Sequence, residues 1–159
     1  MQVSAARLKK SIEVREAISR MDLYKPPLEI RDPDAFLLMD FNESPIPPPP
    51  VVIQKITEFL NFHVHVYPKY GDFLQKLGNY SGVPAENLLL TNGSDQAIDI
   101  IMRSLLEKGE EATMVQPGFQ MYNQIANTLG CKLNGPQFPP DFHLPYQELK
   151  ESVNTKTRL

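Results

Sequence analysis

The sequence has 159 residues, 42% hydrophobic and 22% charged, with a formal net charge of −3 at pH 7. These values are typical of a globular protein that is large enough for one domain with a hydrophobic core. The charges form no basic stripe, so nucleic-acid binding has no electrostatic support, and the apolar runs are far shorter than the roughly 20 residues of a membrane-spanning helix.

The N-terminal third of the chain changes character near residue 22. Apolar positions at close to helical spacing predict an amphipathic helix over 4–21, and the charged residues between them argue against a signal peptide, which favours a cytoplasmic protein. Prolines over 22–50 disfavour helix and predict an extended arm that packs on another surface, with a polyproline linker as the alternative. We therefore treat 1–50 as an N-terminal helix followed by a Pro-rich arm.

A regular alternation of helices and strands follows. Pro50 can occupy the first position of a helix, and Gly82, Gly109 and Gly130 are expected to end helices. The pattern predicts helices from Pro50 onward, over about 70–80, 94–107 and 119–129, and strands over 87–91, 112–116 and 131–134. This alternation favours a parallel α/β sheet, in which ligands bind at the carboxyl ends of the strands.

The stretch LLLTNGSDQAIDII, residues 88–101, reads as strand, tight turn and helix, with Gly93 and Ser94 at the start of the helix. The first N–H groups of a helix have no partner within it, and the helix dipole adds positive charge there, so an anion such as phosphate fits this position. The alternative is a capped helix, with Ser94 as N-cap and Asp95 in the first turn. The stretch alone leaves both interpretations open.

Other reactive residues give no clear site. Cys131 is the single cysteine and cannot form an internal disulfide, and the three histidines do not have the spacing of a zinc motif, so we expect no metal site. Phe119 taken alone is typical of a core residue, and Tyr67 of a pre-proline tyrosine packed in a loop.

Several motifs together resemble a known family. The segments MDFNESPIPPPP, VYPKYGDFLQKLGNYSGVPAENLLLTNGSDQAIDIIMRSLLEKGEEATMVQPGFQMY and ANTLGCKL are similar, in order and spacing, to the first half of pyridoxal-phosphate enzymes of the aspartate aminotransferase fold, and most closely to histidinol-phosphate aminotransferases. The resemblance covers roughly 24–159. It implies the N-terminal part of a fold-type I α/β transferase, with helices flanking an incomplete, mainly parallel sheet, and with 51–159 as the first part of the large cofactor-binding domain.

The resemblance also implies a cofactor, pyridoxal 5'-phosphate. The family's phosphate-binding turn matches Gly93, Ser94 and Asp95, whose backbone N–H groups would bind the cofactor phosphate; Gln96 stands where the family commonly has glutamate. In QPGFQMY, Phe119 matches the aromatic residue that stacks on the pyridine ring, which is usually tyrosine. A phenyl ring can still stack.

Further roles are implied for residues near the substrate and the subunit interface. In VYPKYG, Tyr67 matches a tyrosine that binds the phosphate of the partner subunit's cofactor, which implies a homodimer. Asn42 and Glu43, in FNESP, match residues beside the pocket for a small amino-acid or amino-phosphate substrate. Tyr24, in LYKPP, falls near a tyrosine that reaches a neighbouring subunit's substrate.

The family's Schiff-base lysine has no counterpart in this sequence, so we assign no catalytic residue. We therefore expect a fragment of a longer enzyme, inactive alone, from a transaminase that uses glutamate or 2-oxoglutarate and a small phosphorylated substrate. A threonine-phosphate decarboxylase carries similar motifs in its N-terminal half. A binding or interaction module without catalytic activity is the alternative of another class.

Overall fold

The structure is a computed structural model that describes residues 13–22 and 28–159. The described residues fall into two compact units: 28–90 form one, and 13–22 together with 91–159 form the other. The helices are α1 (Glu16–Ser19), α2 (Pro50–His63), α3 (Gly71–Ser81), α4 (Gly93–Leu105), α5 (Gln120–Leu129) and α6 (Tyr146–Ser152), and the strands are β1 (Glu111–Thr113) and β2 (Lys132–Asn134).

The two strands lie in the unit that contains 91–159, and they are parallel, with Ala112 opposite Leu133. The last residues of the chain form a third parallel segment on the other side of β1. There the N–H of Thr113 donates to the carbonyl of Leu159 at 2.8 Å, and Glu111 pairs with Thr157. The predicted parallel α/β arrangement is therefore confirmed, and β1 is its central strand.

Helices α4 and α5 pack against each other and against this sheet through one apolar cluster. Its buried members are Met102, Leu106, Ala112, Ile125, Ala126 and Cys131. Met102 is completely buried. The thiol of Cys131 lies 3.0 Å from the carbonyl oxygen of Glu107, and burial raises the pKa of this thiol. Cys131 is thus a packing residue of the core, which accords with its sequence position at the start of a strand.

The unit of 28–90 consists of α2, α3 and two short 3-10 turns, Leu28–Ile30 and Ala85–Asn87. Pro50 occupies the first turn of α2, as predicted. Helix α3 ends at Gly82, whose φ of 71° is left-handed, and the N–H of Gly82 bonds to the carbonyl of Gly78. Gly130 ends α5 in the same way, with a φ of 74°. Both glycine signals were therefore read correctly.

Three predicted elements differ from the structure. The strand expected over 112–116 is shorter, since β1 covers Glu111–Thr113 and only an isolated bridge joins Gln116 to Gln137 beyond it. Residues 88–91 form no strand, because no neighbouring strand in the described residues offers them backbone partners. Helix α4 ends at Leu105 and not near Gly109, because Leu106 is already extended and its side chain enters the core. A turn in which the N–H of Glu110 donates to the carbonyl of Glu107 then leads to β1.

The N-terminal predictions lie partly outside the described residues. Of the helix expected over 4–21, the described part contains only α1, four residues long. Arg15 donates from its guanidinium to the carbonyl of Thr128 at 3.0 Å, which places this segment against the C-terminal turn of α5. The boundary expected at residue 50 remains a prediction. Within the described ranges, no helix is long and apolar enough to cross a membrane.

Two neighbouring residues of α4 differ in burial, and truncating them should therefore lower the free energy of unfolding by different amounts. We expect Met102→Ala to lower the free energy of unfolding by about 2–5 kcal/mol, because it leaves a cavity where the side chain was completely buried. The matched control is Ile101→Ala, since Ile101 is 48% exposed and should cost much less. Urea denaturation of the two variants measures the difference, and equal losses would contradict the packing described here.

Candidate active site

The first turn of α4 is the best-formed candidate binding position. The helix begins at Gly93, whose φ of 77° is left-handed, and Asn92 is the residue that precedes it. Ser94 and Asp95 therefore lie inside the first turn. The alternative in which Ser94 serves as N-cap is wrong, because the N-cap is Asn92, two residues earlier, and the helix begins at the left-handed Gly93.

The polar side chains around this turn leave its amide donors free. Gln96 accepts a hydrogen bond from the N–H of Asn92, and the hydroxyl of Thr91 donates to the carbonyl of Gly93 at 2.9 Å. Within the described part of the chain, no side chain accepts from the N–H groups of Gly93, Ser94 or Asp95. A Cβ placed on Gly93 would meet nothing within 4 Å, so glycine is favoured here by its left-handed φ and not by a lack of space.

Phe119 stands immediately before α5, at the end of the turn that follows β1. Its side chain is 49% exposed, so the interpretation of Phe119 as a core residue is wrong. The backbone there is extended, with φ of −67° and ψ of 122°, and α5 continues from the next residue. An aromatic side chain that is about half exposed thus stands at the start of a helix.

The starts of α4 and α5 lie at the same edge of the sheet. Helix α4 leads into β1, and α5 leads from β1 to the parallel strand β2, so both helices run opposite to the strands. Their C-terminal ends are joined, because the N–H of Gly109 donates to the carbonyl of Gly130 at 3.0 Å. The first turn of α4 and the ring of Phe119 therefore both belong to the carboxyl edge of the strands, where α/β proteins bind ligands.

A separate polar cluster lies in the unit of 28–90, around Arg31. The Nη2 atom of Arg31 is 2.9 Å from Oδ1 of Asp40 and 2.5 Å from Oε2 of Glu43, and Nη1 is 3.4 Å from Oε1 of Glu43. The guanidinium carbon lies 4.6 Å from the centre of the Phe41 ring. Asn42, between these partners, has a left-handed φ of 54°. We name this group, Arg31 with residues 40–43, the Arg31 cluster.

The contact between Arg31 and Glu43 shifts the pKa values of both groups. The hydrogen bond from Arg31 lowers the pKa of the Glu43 carboxyl, although partial desolvation and the nearby Asp40 oppose the shift. The same hydrogen bond raises the pKa of Arg31. The Arg31 side chain is only 13% exposed, whereas that of Glu43 is 56% exposed. Glu43 is therefore an ionised partner of Arg31.

The remaining predicted residues are placed as follows. Tyr67 lies in the loop between α2 and α3 with 96% of its surface exposed. Tyr24 lies outside the described residues. Arg31 was missed by sequence analysis, since it precedes its carboxylate partners by nine and twelve residues in a segment without helical or strand periodicity. Among the described side chains, no group of three or more His, Cys, Asp or Glu could hold a metal ion.

Comparison with known proteins identifies the family. The model for aminotransferase class I and II matches residues 35–159. The chain belongs to this family. Histidinol-phosphate aminotransferase 1, chloroplastic, from Arabidopsis thaliana is 30% identical over 148 residues, covering 88% of the chain and 36% of that protein. Histidinol-phosphate aminotransferase from Geotalea daltonii is 27% identical over 124 residues, covering 77% and 36%.

Solved structures give the same fold. The histidinol-phosphate aminotransferase from Sinorhizobium meliloti, in complex with pyridoxal-5'-phosphate, aligns with a TM-score of 0.74 at 18% identity, over 93% of this chain and 41% of that one. N-Succinyldiaminopimelate aminotransferase from Mycobacterium tuberculosis aligns with a TM-score of 0.59 at 23% identity, over 69% and 32%. The chain spans about a third of the length of the curated relatives that it matches, 36% for the two described above.

The Arg31 cluster makes a specific pH prediction. Because the folded-state pKa of Glu43 is lowered, the contact with Arg31 contributes stability above the unfolded pKa, near 4.5, and loses it as the pH falls through the lower folded value. A carbon-detected NMR titration should give Glu43 a midpoint below 4.5. In Arg31→Met the midpoint should move upward toward the ordinary value. An unchanged midpoint would show that Arg31 does not cause the shift.

Proposed function

We propose that this chain forms the part of an aminotransferase that binds pyridoxal 5'-phosphate. The enzyme is of the histidinol-phosphate type and transfers an amino group between glutamate or 2-oxoglutarate and a small phosphorylated substrate. Membership of the aminotransferase class I and II family over 35–159 supports the reaction class. The names of the most similar curated relatives support the substrate type.

The observation that carries the cofactor proposal is the set of open donors at the start of α4. A phosphate group needs several hydrogen-bond donors and a favourable potential, and a helix N-terminus supplies both. Gly93, Ser94 and Asp95 contribute N–H groups that no described side chain occupies. Gly93 has no side chain, so a phosphate could approach the backbone closely there. These residues therefore fit the phosphate of the cofactor.

Phe119 orients the rest of the cofactor in this proposal. When bound, pyridoxal 5'-phosphate supplies an aldehyde that condenses with amines and a ring that withdraws electrons from the reacting carbon. The half-exposed ring of Phe119 can stack on that pyridine ring, since it stands at the same sheet edge as the α4 donors. Backbone donors thus fix one end of the cofactor, and an aromatic face fixes its plane.

The family resemblance adds further residues to the proposal. Tyr67 would donate to the cofactor phosphate of the partner subunit in a homodimer, and its 96% exposure leaves the hydroxyl accessible for such a contact. Asn42 and Glu43 would lie beside the substrate pocket, and Tyr24 would reach a neighbouring subunit's substrate. Each of these roles follows the family resemblance. In this proposal, the cofactor and the substrate of one subunit are therefore each contacted by a residue of another subunit.

The phosphate proposal is tested by removing one backbone donor. Proline is compatible with the first turn of a helix but has no N–H, so Ser94→Pro should weaken binding of pyridoxine 5'-phosphate by about 10- to 150-fold, the value of a hydrogen bond to a charged group of about 1.5–3 kcal/mol. Ser94→Ala is the matched control and keeps the amide. Pyridoxine phosphate has no aldehyde, so surface lysines cannot form imines with it.

Calorimetric titration gives both affinities, and circular dichroism verifies that α4 remains folded in each variant. Pyridoxine without phosphate should bind the unchanged protein and the Ser94→Pro variant equally weakly. If Ser94→Pro is folded and binds pyridoxine 5'-phosphate as tightly as Ser94→Ala does, the phosphate does not lie at α4 and the cofactor proposal is wrong.

The stacking proposal gives a second prediction. Phe119→Ala should weaken binding of pyridoxine 5'-phosphate by about 2- to 10-fold, corresponding to about 0.5–1.5 kcal/mol for an aromatic pair. Phe119→Tyr keeps the ring and should bind at least as tightly as the unchanged chain. Ligand fluorescence measures the affinities. Equal binding by the alanine and tyrosine variants would remove Phe119 from the site.

A further inference from the structure

The polar side chains of the FNESP motif differ in whether they have a hydrogen-bond partner. Glu43 is bound to Arg31 through both of its oxygens. The hydroxyl of Ser44 donates to the carbonyl of Ile46 at 2.8 Å and accepts from the N–H of the same residue at 3.2 Å. Asn42 is different, because its side-chain amide has no hydrogen-bond partner in the described part of the chain.

One guanidinium contacts the residues on both sides of Asn42. It binds the carboxylates of Asp40 and Glu43, and it lies over the ring of Phe41. The side chains of residues 40, 41 and 43 thereby contact Arg31, whereas the Asn42 amide forms no hydrogen bond with it. The backbone makes this possible at Asn42 by adopting a φ of 54°, a left-handed conformation that asparagine tolerates better than most residues.

We infer that Arg31 is a positioning residue, which holds Asp40, Phe41 and Glu43 so that the Asn42 amide, which has no hydrogen-bond partner in the described part of the chain, is available to a substrate. Glu43 consequently anchors the loop beside the proposed substrate pocket. The substrate part of this inference rests on the proposed function. The conformational part does not, because Arg31 and all of its partners lie within the unit of 28–90.

The shape of the guanidinium explains why arginine is needed here. Its planar fork presents several N–H groups in fixed directions and a flat face that stacks on an aromatic ring, whereas the lysine ammonium is a compact point charge. Two carboxylates and a ring are held together at Arg31. Lysine at this position retains the charge but cannot make the three contacts together.

NMR of the isotope-labelled 159-residue chain tests the inference. A residue with positive φ gives a strong NOE between its own amide and α protons, and we expect this signal at Asn42 in the unchanged chain. It should fall several-fold in Arg31→Met and only partly recover in Arg31→Lys. Arg20→Met is the matched control, since Arg20 pairs with Glu16 on an exposed surface in the other unit and should leave the signal unchanged.

A second variant separates positioning from a general loss of structure. Glycine adopts a left-handed φ without a Cβ penalty, so adding Asn42→Gly to Arg31→Met should return the amide shifts of Asp40 and Ser44 toward those of the single Asn42→Gly variant. The amide shifts of α3 serve as the folding control and should be the same in all variants. Glu43→Gln should reproduce part of the effect of Arg31→Met at Asn42.

The outcomes are distinct. If the Asn42 NOE is unchanged in folded Arg31→Met, or if Arg31→Lys equals the unchanged chain, Arg31 does not position Asn42 through its fork and the inference is wrong. Collapse of the α3 shifts in Arg31→Met together with failure of the glycine rescue would assign Arg31 a general structural role and also contradict it. Failure of the unchanged chain to bind pyridoxine 5'-phosphate would instead contradict the proposed function, with no effect on the Asn42 signal.

Discussion

The orientation of α4 and α5 on β1 and β2 depends on one apolar cluster. Met102 from α4 and Ile125 and Ala126 from α5 are buried together with Ala112 of the central strand. The small alanine side chains let the helices approach the sheet closely, and this packing fixes the direction of both helix axes. Because each helix runs opposite to the strands, its free N–H groups are presented at the carboxyl edge. The candidate cofactor site is thus a consequence of core packing.

Two side chains near the candidate site differ from those that the family resemblance implies. At Gln96 the resemblance implies glutamate, but the glutamine oxygen still accepts from the N–H of Asn92, a role that does not require charge. At Phe119 the resemblance implies tyrosine, and phenylalanine keeps an aromatic ring at the start of α5. The donors proposed for the phosphate belong to the backbone, and they are therefore insensitive to either replacement.

Sequence reasoning succeeded where a local rule determines the structure. Gly82 and Gly130 end helices because a left-handed residue is needed there, and Pro50 starts α2 because its missing N–H is not needed in the first turn. It failed for 88–91, because an apolar run becomes a strand only when a neighbouring strand supplies hydrogen bonds. It also missed Arg31, whose partners Asp40 and Glu43 are joined to it by chain folding and not by periodicity. The left-handed φ of Asn42 was equally hidden, since asparagine is compatible with many conformations.

The hydrogen bond between Gly109 and Gly130 joins the loops that follow α4 and α5, so the C-terminal ends of the two helices are held together. Helix α4 has 13 residues and is therefore about 20 Å long, so a tilt of only about 5° around the joined loops would displace its first turn by about 1.7 Å. That displacement is comparable to the difference between a good hydrogen bond and none. Substitutions in the loops at 106–110 and 130–131 would consequently alter phosphate affinity at the proposed site by tilting α4.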